Sequence, residues 1–192
     1  MRSKYLNQNF LIAMPSLDDP NFKQGVTLLC QHNAEGALGL TINHASSMQL
    51  QDIFQQMDIQ CESVDIAQTR VLTGGPLQPE RGFVLHDGHP DGDTEAWESS
   101  LQLNEQLFLS TSRDILIDIA ANKGPDNFII ALGYAGWQAG QLESELRANS
   151  WLNCSANNHI IFDAPLHQRW RKALDTMGIQ RPEQLSSSGG RA

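Results

Sequence analysis

The chain carries no excess of positive charge. Thirteen Lys and Arg stand against 22 Asp and Glu, a formal net charge of −9. The field of the whole molecule therefore does not draw in nucleic acid or an anionic membrane surface. No apolar run approaches the roughly 20 residues that a membrane-spanning helix needs. The run Phe10 to Met14, after the polar start Met1-Arg2-Ser3-Lys4, is too short for a secretory signal core. Cysteine is sparse. Cys30, Cys61 and Cys154 are an odd count without metal-ligand spacing, which fits a reducing, cytoplasmic setting. G-x-S-x-G, H-E-x-x-H, paired C-x-x-C and a Walker lysine are all absent. Ser110 and Ser112 have no base that the sequence assigns to them. No internal repeat is visible, and no cofactor is expected.

What is present suits a globular α/β-type chain. Its 192 residues, 40% hydrophobic and 18% charged, are enough for one domain with a sizeable core over 1–185, with room for a small subdomain. The Ser/Gly-rich stretch 186–192 is expected to be disordered. Phe10 to Met14 reads as a first strand stopped by Pro15. Gly25 to His32 and Ala37 to Asn43 read as an antiparallel pair joined through Asn33-Ala34-Glu35-Gly36. Leu50, Ile53, Phe54 and Met57 fall at i, i+3, i+4 and i+7, one face of a helix that Ser46 or Ser47 caps. Residues 58–69 read as irregular. Short strands follow at Arg70 to Thr73, Gly82 to His86 and within Ser100 to Ser110.

A helix opens at Thr111-Ser112-Arg113-Asp114, where a hydroxyl caps it and Asp114 favours the positive end of its dipole. Its stripe is Ile115, Leu116, Ile119 and Ala120, and Gly124-Pro125 lies beyond its end. Phe128 to Leu132 has the length of a buried strand. Gly133, Gly136 and Gly140 are expected to break it into a glycine-rich turn before a helix that buries Leu142 and Leu146. His159 to Phe162 reads as a strand. Pro165 to Met177 reads as a last helix with Leu166, Trp170 and Leu174 as its seam. Strands and helices alternate irregularly, which predicts a mixed sheet with helices packed on it rather than a doubly wound one.

In this order FLIAMPSLDDPNF (10–22), GALGLTIN (36–43), GGP with RGFVLH (74–76 and 81–86), STSRDIL (110–116) and ALGYAGWQAGQLESEL (131–146) resemble the YqgE/AlgH family of bacterial proteins. The resemblance implies an α+β fold with a mixed, largely antiparallel, bifurcated sheet curled into a partial barrel, with helices packed on it. It implies no catalytic residue. One branch of the family is named as a regulator of alginate synthesis.

Four sets of residues are candidates for a site. Cys30 and His32, two apart on one strand, would share a face, and the imidazole would favour the thiolate. The alternative is a small buried hydrophobe. Gly133 and Gly136, with Trp137 between strand and helix, stand where phosphate binds, but G-x-x-G-x-x-x-G is not a dinucleotide fingerprint. A turn that positions Trp137 for packing is the better reading. Gly74, Gly75 and Arg81 with Ser112 and Arg113 would make an anion pocket if the two segments met. Asp87, Asp91, Asp93 and Glu98 lie in a loop that places oxygen ligands at calcium-loop positions 1, 5, 9 and 12 with Gly92 at position 6. His89 and Pro90 spoil the pattern, so a solvated acidic loop is preferred.

The leading reading is a non-enzymatic cytoplasmic protein that binds a protein or small-molecule partner, with a possible regulatory role. The alternatives are a thiol-based enzyme or redox-responsive protein using Cys30 and His32, and a DNA-binding regulator using the basic residues Arg169, Arg171, Lys172 and Arg181. Net charge disfavours the last.

Overall fold

A computed structural model describes residues 5–92 and 97–185. Its strands are β1 (Asn9–Ala13), β2 (Val26–Asn33), β3 (Gly36–Thr41), β4 (Ala45–Gln49), β5 (Arg70–Thr73), β6 (Leu77–His86), β7 (Ser100–Asn104), β8 (Leu107–Ser110), β9 (Phe128–Gln138) and β10 (Trp151–Ser155). The helices are α1 (Leu50–Gln56), α2 (Val64–Ala67), α3 (Arg113–Ala120), α4 (Gln141–Arg147) and α5 (Leu166–Thr176). The main path of the sheet runs β10-β1-β2-β3-β9-β6-β8-β7, and β5 pairs with both β4 and β9. The pairings are antiparallel apart from β5 with β9. The sheet is mixed, curls into a half-barrel and carries the helices on it.

The sheet forks on β9. Its first half holds β5 in parallel, with Leu72 opposite Ala131 and Thr73 opposite Leu132. Its second half holds β3, with Gly39 opposite Ala135 and Ala37 opposite Trp137. Gly133 sits between the halves at φ +71°, an extra residue that no pairing includes. Such a bulge reverses which face the following side chains take. Ile129 and Ala131 lie in one core cluster and Ile130 in another, whereas beyond the bulge Tyr134 rejoins the first cluster. Ala135 and Trp137 enter a third.

One face of the sheet therefore carries a single core, in which Phe10, Ile12, Leu28, Leu85 and Ile129 meet Ala173 and Leu174 of α5. The opposite face is divided. Leu50, Ile53 and Phe54 of α1 pack with Ile115 and Ile119 of α3 in one part. Leu142 of α4 packs with Leu11, Leu29, Trp137 and Trp151 in the other. Alternation along β1, with Phe10 and Ile12 on one side and Leu11 and Ala13 on the other, shows why this strand is apolar throughout: both of its faces are covered.

The early hairpin, the first strand and the stripes of α1 and α3 follow the hydrophobic pattern. Several local expectations are corrected. The glycine-rich turn is not a turn, because β9 runs through Gly133 and Gly136 as far as Gln138. His159 to Phe162 is not a strand. A π-helical turn spans His159–Asp163, where the Ala164 N–H reaches back to the His159 carbonyl and Asn157 accepts from the Ile160 N–H. Residues 58–69 contain α2. The strands β4 and β10 have short, polar-interrupted sequences that give little signal without a partner strand. Neither Ser46 nor Ser47 caps α1. Its N-cap is Gln49, whose N–H donates to Asp52, while the Ser46 hydroxyl donates to the Val71 carbonyl. α5 begins one residue later than expected, with Pro165 in front of it. In α4 Leu142 is buried but Leu146 only partly so. The stretch 186–192 lies outside the described residues.

Candidate functional site

Cys30 and His32 are not brought together. The register of β2 against β3 slips between Leu29 and Gln31, so Cys30 is the extra residue of a bulge. Cys30 packs in the α5-side core with Val26 and Leu28. His32 pairs across the strands with Ala37, on the α4 side. There its Nδ1 accepts from the Leu6 N–H at 3.0 Å and its Nε2 meets Glu143 Oε1 at 3.1 Å. The backbone donor fixes the tautomer, so Nε2–H donates to the carboxylate. Burial pushes the Cys30 thiol up to about 12, which leaves almost no thiolate at neutral pH.

A second imidazole forms a pair that the sequence did not offer. His86, on β6, lies 2.8 Å from Ser110 Oγ on β8 because Val84 pairs with Ser110 and Leu85 with Leu109. The pair has the look of a nucleophile and its base, but the proton runs the wrong way. The Gly88 N–H donates to His86 Nδ1 at 3.2 Å, so Nε2 carries the hydrogen and donates to Ser110. The Ser110 hydroxyl then donates to Ser100 Oγ at 2.6 Å, and Ser100 donates to the Trp97 carbonyl at 3.0 Å. Ser110 is fully buried. The chain of hydrogen bonds ties β6, β7 and β8 together.

Trp97 stands edge-on to the His86 ring, and Phe108 stacks on it. Burial lowers the His86 pKa to about 4, against a weaker opposing effect of Asp87. The unfolded chain binds a proton near 6.5. Between pH 4 and 6.5 it is therefore the unfolded state that holds more protons, and stability rises with pH through this window. Going from pH 6.5 down to 4 is expected to cost about 3 kcal/mol from this group. Urea midpoints across that range should show the slope, and His86→Gln should flatten it.

The two glycine segments meet each other rather than a ligand. A Cβ on Gly74 would lie 2.4 Å from the Gly133 carbonyl, and one on Gly75 would lie 2.1 Å from the Tyr134 carbonyl carbon. The Gly74 N–H is already bonded to Leu132 O. These glycines allow the backbones to cross at the fork. Gly74 and Gly75 are taken up at the fork and do not join Arg81, Ser112 and Arg113, although Glu80 and Gly82, on either side of Arg81, line one groove with Ser112 and Arg113. Arg81 is exposed and lies over the Phe83 ring, 5.3 Å from its centroid. Trp137 is a buried strand residue, not a turn residue.

Ser112 and Arg113 instead border a groove of about 380 Å³. Its walls are Met48, Ile53 and Met57 around α1, Phe83, Val84 and Leu132 of the sheet, and Leu116 of α3. The Ser112 hydroxyl is turned away from the α3 backbone, to the Glu98 carbonyl and Asp114. Burial works against the charge of Asp114, but the hydrogen bonds from Ser112 and from the Glu98 and Ile115 amides outweigh it and hold its pKa below the usual range. Arg113 donates through Nη2 to the Met57 carbonyl at 2.9 Å, which holds its guanidinium at the groove mouth. Ile53 and Met57 belong to the helical stripe that was legible in the sequence. Its closure against Phe83 and Leu116 was not.

The acidic loop is pinned by its ends. Asp87 accepts from the Asn127 N–H and side-chain amide, and Trp97 Nε1 donates to Asp118 at 2.8 Å. Asp91 is exposed and lies beside His89. The Glu98 N–H donates to Asp114. Asp93 lies outside the described residues. Among the described residues no group of three metal-ligating side chains converges, and no helix is long and apolar enough to cross a membrane. Of the basic residues on the last helix, Arg169 is buried and unavailable to a nucleic acid.

Comparison with known proteins gives a consistent set. A family model described as AlgH-like matches residues 10–182. A UPF0301 protein of Methylococcus capsulatus is 46% identical over 187 residues, 97% of each chain. One from Photobacterium profundum is 43% identical over 191 residues, 97% of this chain and 99% of the other. The solution structure of the AlgH protein from Pseudomonas aeruginosa superposes with a TM-score of 0.78 at 42% identity, covering 100% of this chain and 98% of that one. A Corynebacterium diphtheriae protein known from X-ray crystallography shares the fold at 18% identity, with a TM-score of 0.69. None of these names states an activity.

Proposed function

The chain belongs to the AlgH-like family, and from that premise we propose that it works by binding rather than by catalysis, its ligand being a small amphipathic acid seated in the groove between α1, β6 and α3. The groove itself carries this reading. At about 380 Å³ it is within the size range of small-molecule sites; its walls are mainly apolar, Arg113 is the one cation and Glu80 the one carboxylate on them among the described residues, and an acidic end set against Arg113 leaves an apolar body along the walls. Met48 and Met57 supply walls that adapt to the shape of a guest. The buried, proton-donating Ser110 and the high-pKa Cys30 leave neither ready as a nucleophile. The cytoplasm fits three cysteines that are all free.

The test is a thermal-melt series with medium-chain carboxylic acids and the matching alcohols and amines. An acid at about 100 times its dissociation constant is expected to add about 2.7 kcal/mol to the folded state. Met57→Trp, which fills the groove, should abolish the shift. Arg113→Gln should remove the preference for acid over alcohol. A flat series, or a shift that Met57→Trp leaves intact, would overturn the assignment.

A further inference from the structure

A second cavity, of about 350 Å³, lies on the α4 side of the sheet, apart from the groove. It is bordered by Trp137 of β9, Trp151 of β10, Phe22 and Asp19 of the loop after β1, and Glu145 of α4. Three aromatic rings cluster there. Phe22 meets Trp151 edge-to-face with centroids 5.3 Å apart, Trp137 meets Trp151 at 6.1 Å, and Phe22 lies 6.3 Å from Trp137.

Glu145 has an unusual set of partners. Its Oε2 accepts from both indoles, Trp137 Nε1 at 2.9 Å and Trp151 Nε1 at 2.8 Å, and its Oε1 accepts from Gln141 Nε2 at 2.9 Å. All three donors are neutral. Among the described residues no Lys or Arg borders the cavity, and no cation pairs with Glu145. The carboxylate is thus held in place by hydrogen bonds while its charge stays unneutralised. The same bonds polarise the indoles, since an N–H given to an anion makes its ring richer in electrons. Asp19 adds a second carboxylate.

We propose that this cavity binds a small organic ammonium ion, recognised by the rings of Trp137, Trp151 and Phe22 together with the carboxylate of Glu145. Aromatic faces attract such cations through their quadrupole, most strongly where water is excluded. A net charge of −9 raises the local concentration of cations around the whole molecule. The groove treated above takes the opposite charge, so the two assignments stand or fall separately.

The experiment is a tryptophan-fluorescence titration of the full chain with tetramethylammonium and choline, set against 3,3-dimethylbutanol, the uncharged isostere of choline. Choline is expected to bind at least about tenfold more tightly than the isostere. Glu145→Gln keeps an acceptor for the indoles but removes the charge, and should weaken choline by about tenfold while leaving the isostere unchanged. Asp19→Asn, which keeps an Oδ1 acceptor for the Asn21 N–H in this exposed loop, should weaken it by about threefold. A trimethyl-lysine peptide serves as a second arm. Free cations that bind as tightly as the peptide support the small-molecule source, and a peptide that binds while free cations do not overturns it. Equal binding of choline and its isostere, no response to either cation, or affinity untouched by both substitutions overturns the proposal.

Discussion

Gly133→Ala is expected to lower the unfolding free energy by about 2–5 kcal/mol, because backbone strain and a steric clash add at one position. The residue adopts φ +71°, and a Cβ there would lie 2.5 Å from the Gly75 carbonyl oxygen and 3.0 Å from that of Leu77. Neither atom is a flexible side-chain end. Both belong to backbone at the fork where β5 gives way to β3 beside β9. Gly140 supplies the control. It has φ +75°, and nothing lies within 4 Å of the site where its Cβ would stand. Gly140→Ala should therefore show the backbone cost alone, about 1 kcal/mol. Chemical denaturation of the two variants measures the difference. Equal losses would mean that the fork relaxes freely around a methyl group.

Arg169→Ala is expected to cost about 3 kcal/mol. The guanidinium is buried on α5, where Nε donates to the Ala164 carbonyl at 3.0 Å and Nη1 to that of Ile42. It thereby joins the last helix to the residue following β3. Burial draws its pKa down to about 10, so it remains charged at neutral pH. No carboxylate pairs with it among the described residues. Truncation would leave two buried carbonyls without donors, which costs more than the hydrogen bonds contribute. Lysine should restore little, since one ammonium does not reproduce the fork of the guanidinium. Denaturation midpoints of the Ala and Lys variants test both statements. The loss should be nearly independent of salt, because carbonyl acceptors, not an exposed ion pair, are involved.

Arg169 is also not where the sequence put it. Read with Arg171, Lys172 and Arg181, it belonged to a basic helix face, solvated by preference and open to nucleic acid only in the reading that net charge disfavours. Leu166, Trp170 and Leu174 mark only part of the buried side of α5, and Arg169 lies at its edge, where the carbonyls of Ala164 and Ile42 are within reach. A charge pattern along a helix does not say which long side chain finds acceptors beneath it.

Hydrophobic period by itself determined the elements whose apolar residues recur without interruption. These are β1, the β2–β3 hairpin, and the stripes Leu50-Ile53-Phe54 and Ile115-Leu116-Ile119. Such segments need only a core to face, and local spacing says which side faces it. Tertiary structure decided the rest, through two bulges and through partners distant in sequence. The bulge at Cys30 put His32 on the opposite face and dissolved the thiol–imidazole pair. The bulge at Gly133 carried β9 through its glycines and turned Trp137 toward Glu145 and Trp151. One extra residue in a strand leaves its composition unchanged but reverses every side chain that follows. The His86–Ser110 contact, the groove beside Arg113 and the aromatic cavity around Glu145 likewise join residues from separate strands and helices. Only chain pairing at long range brings them together, and no spacing within a segment encodes it.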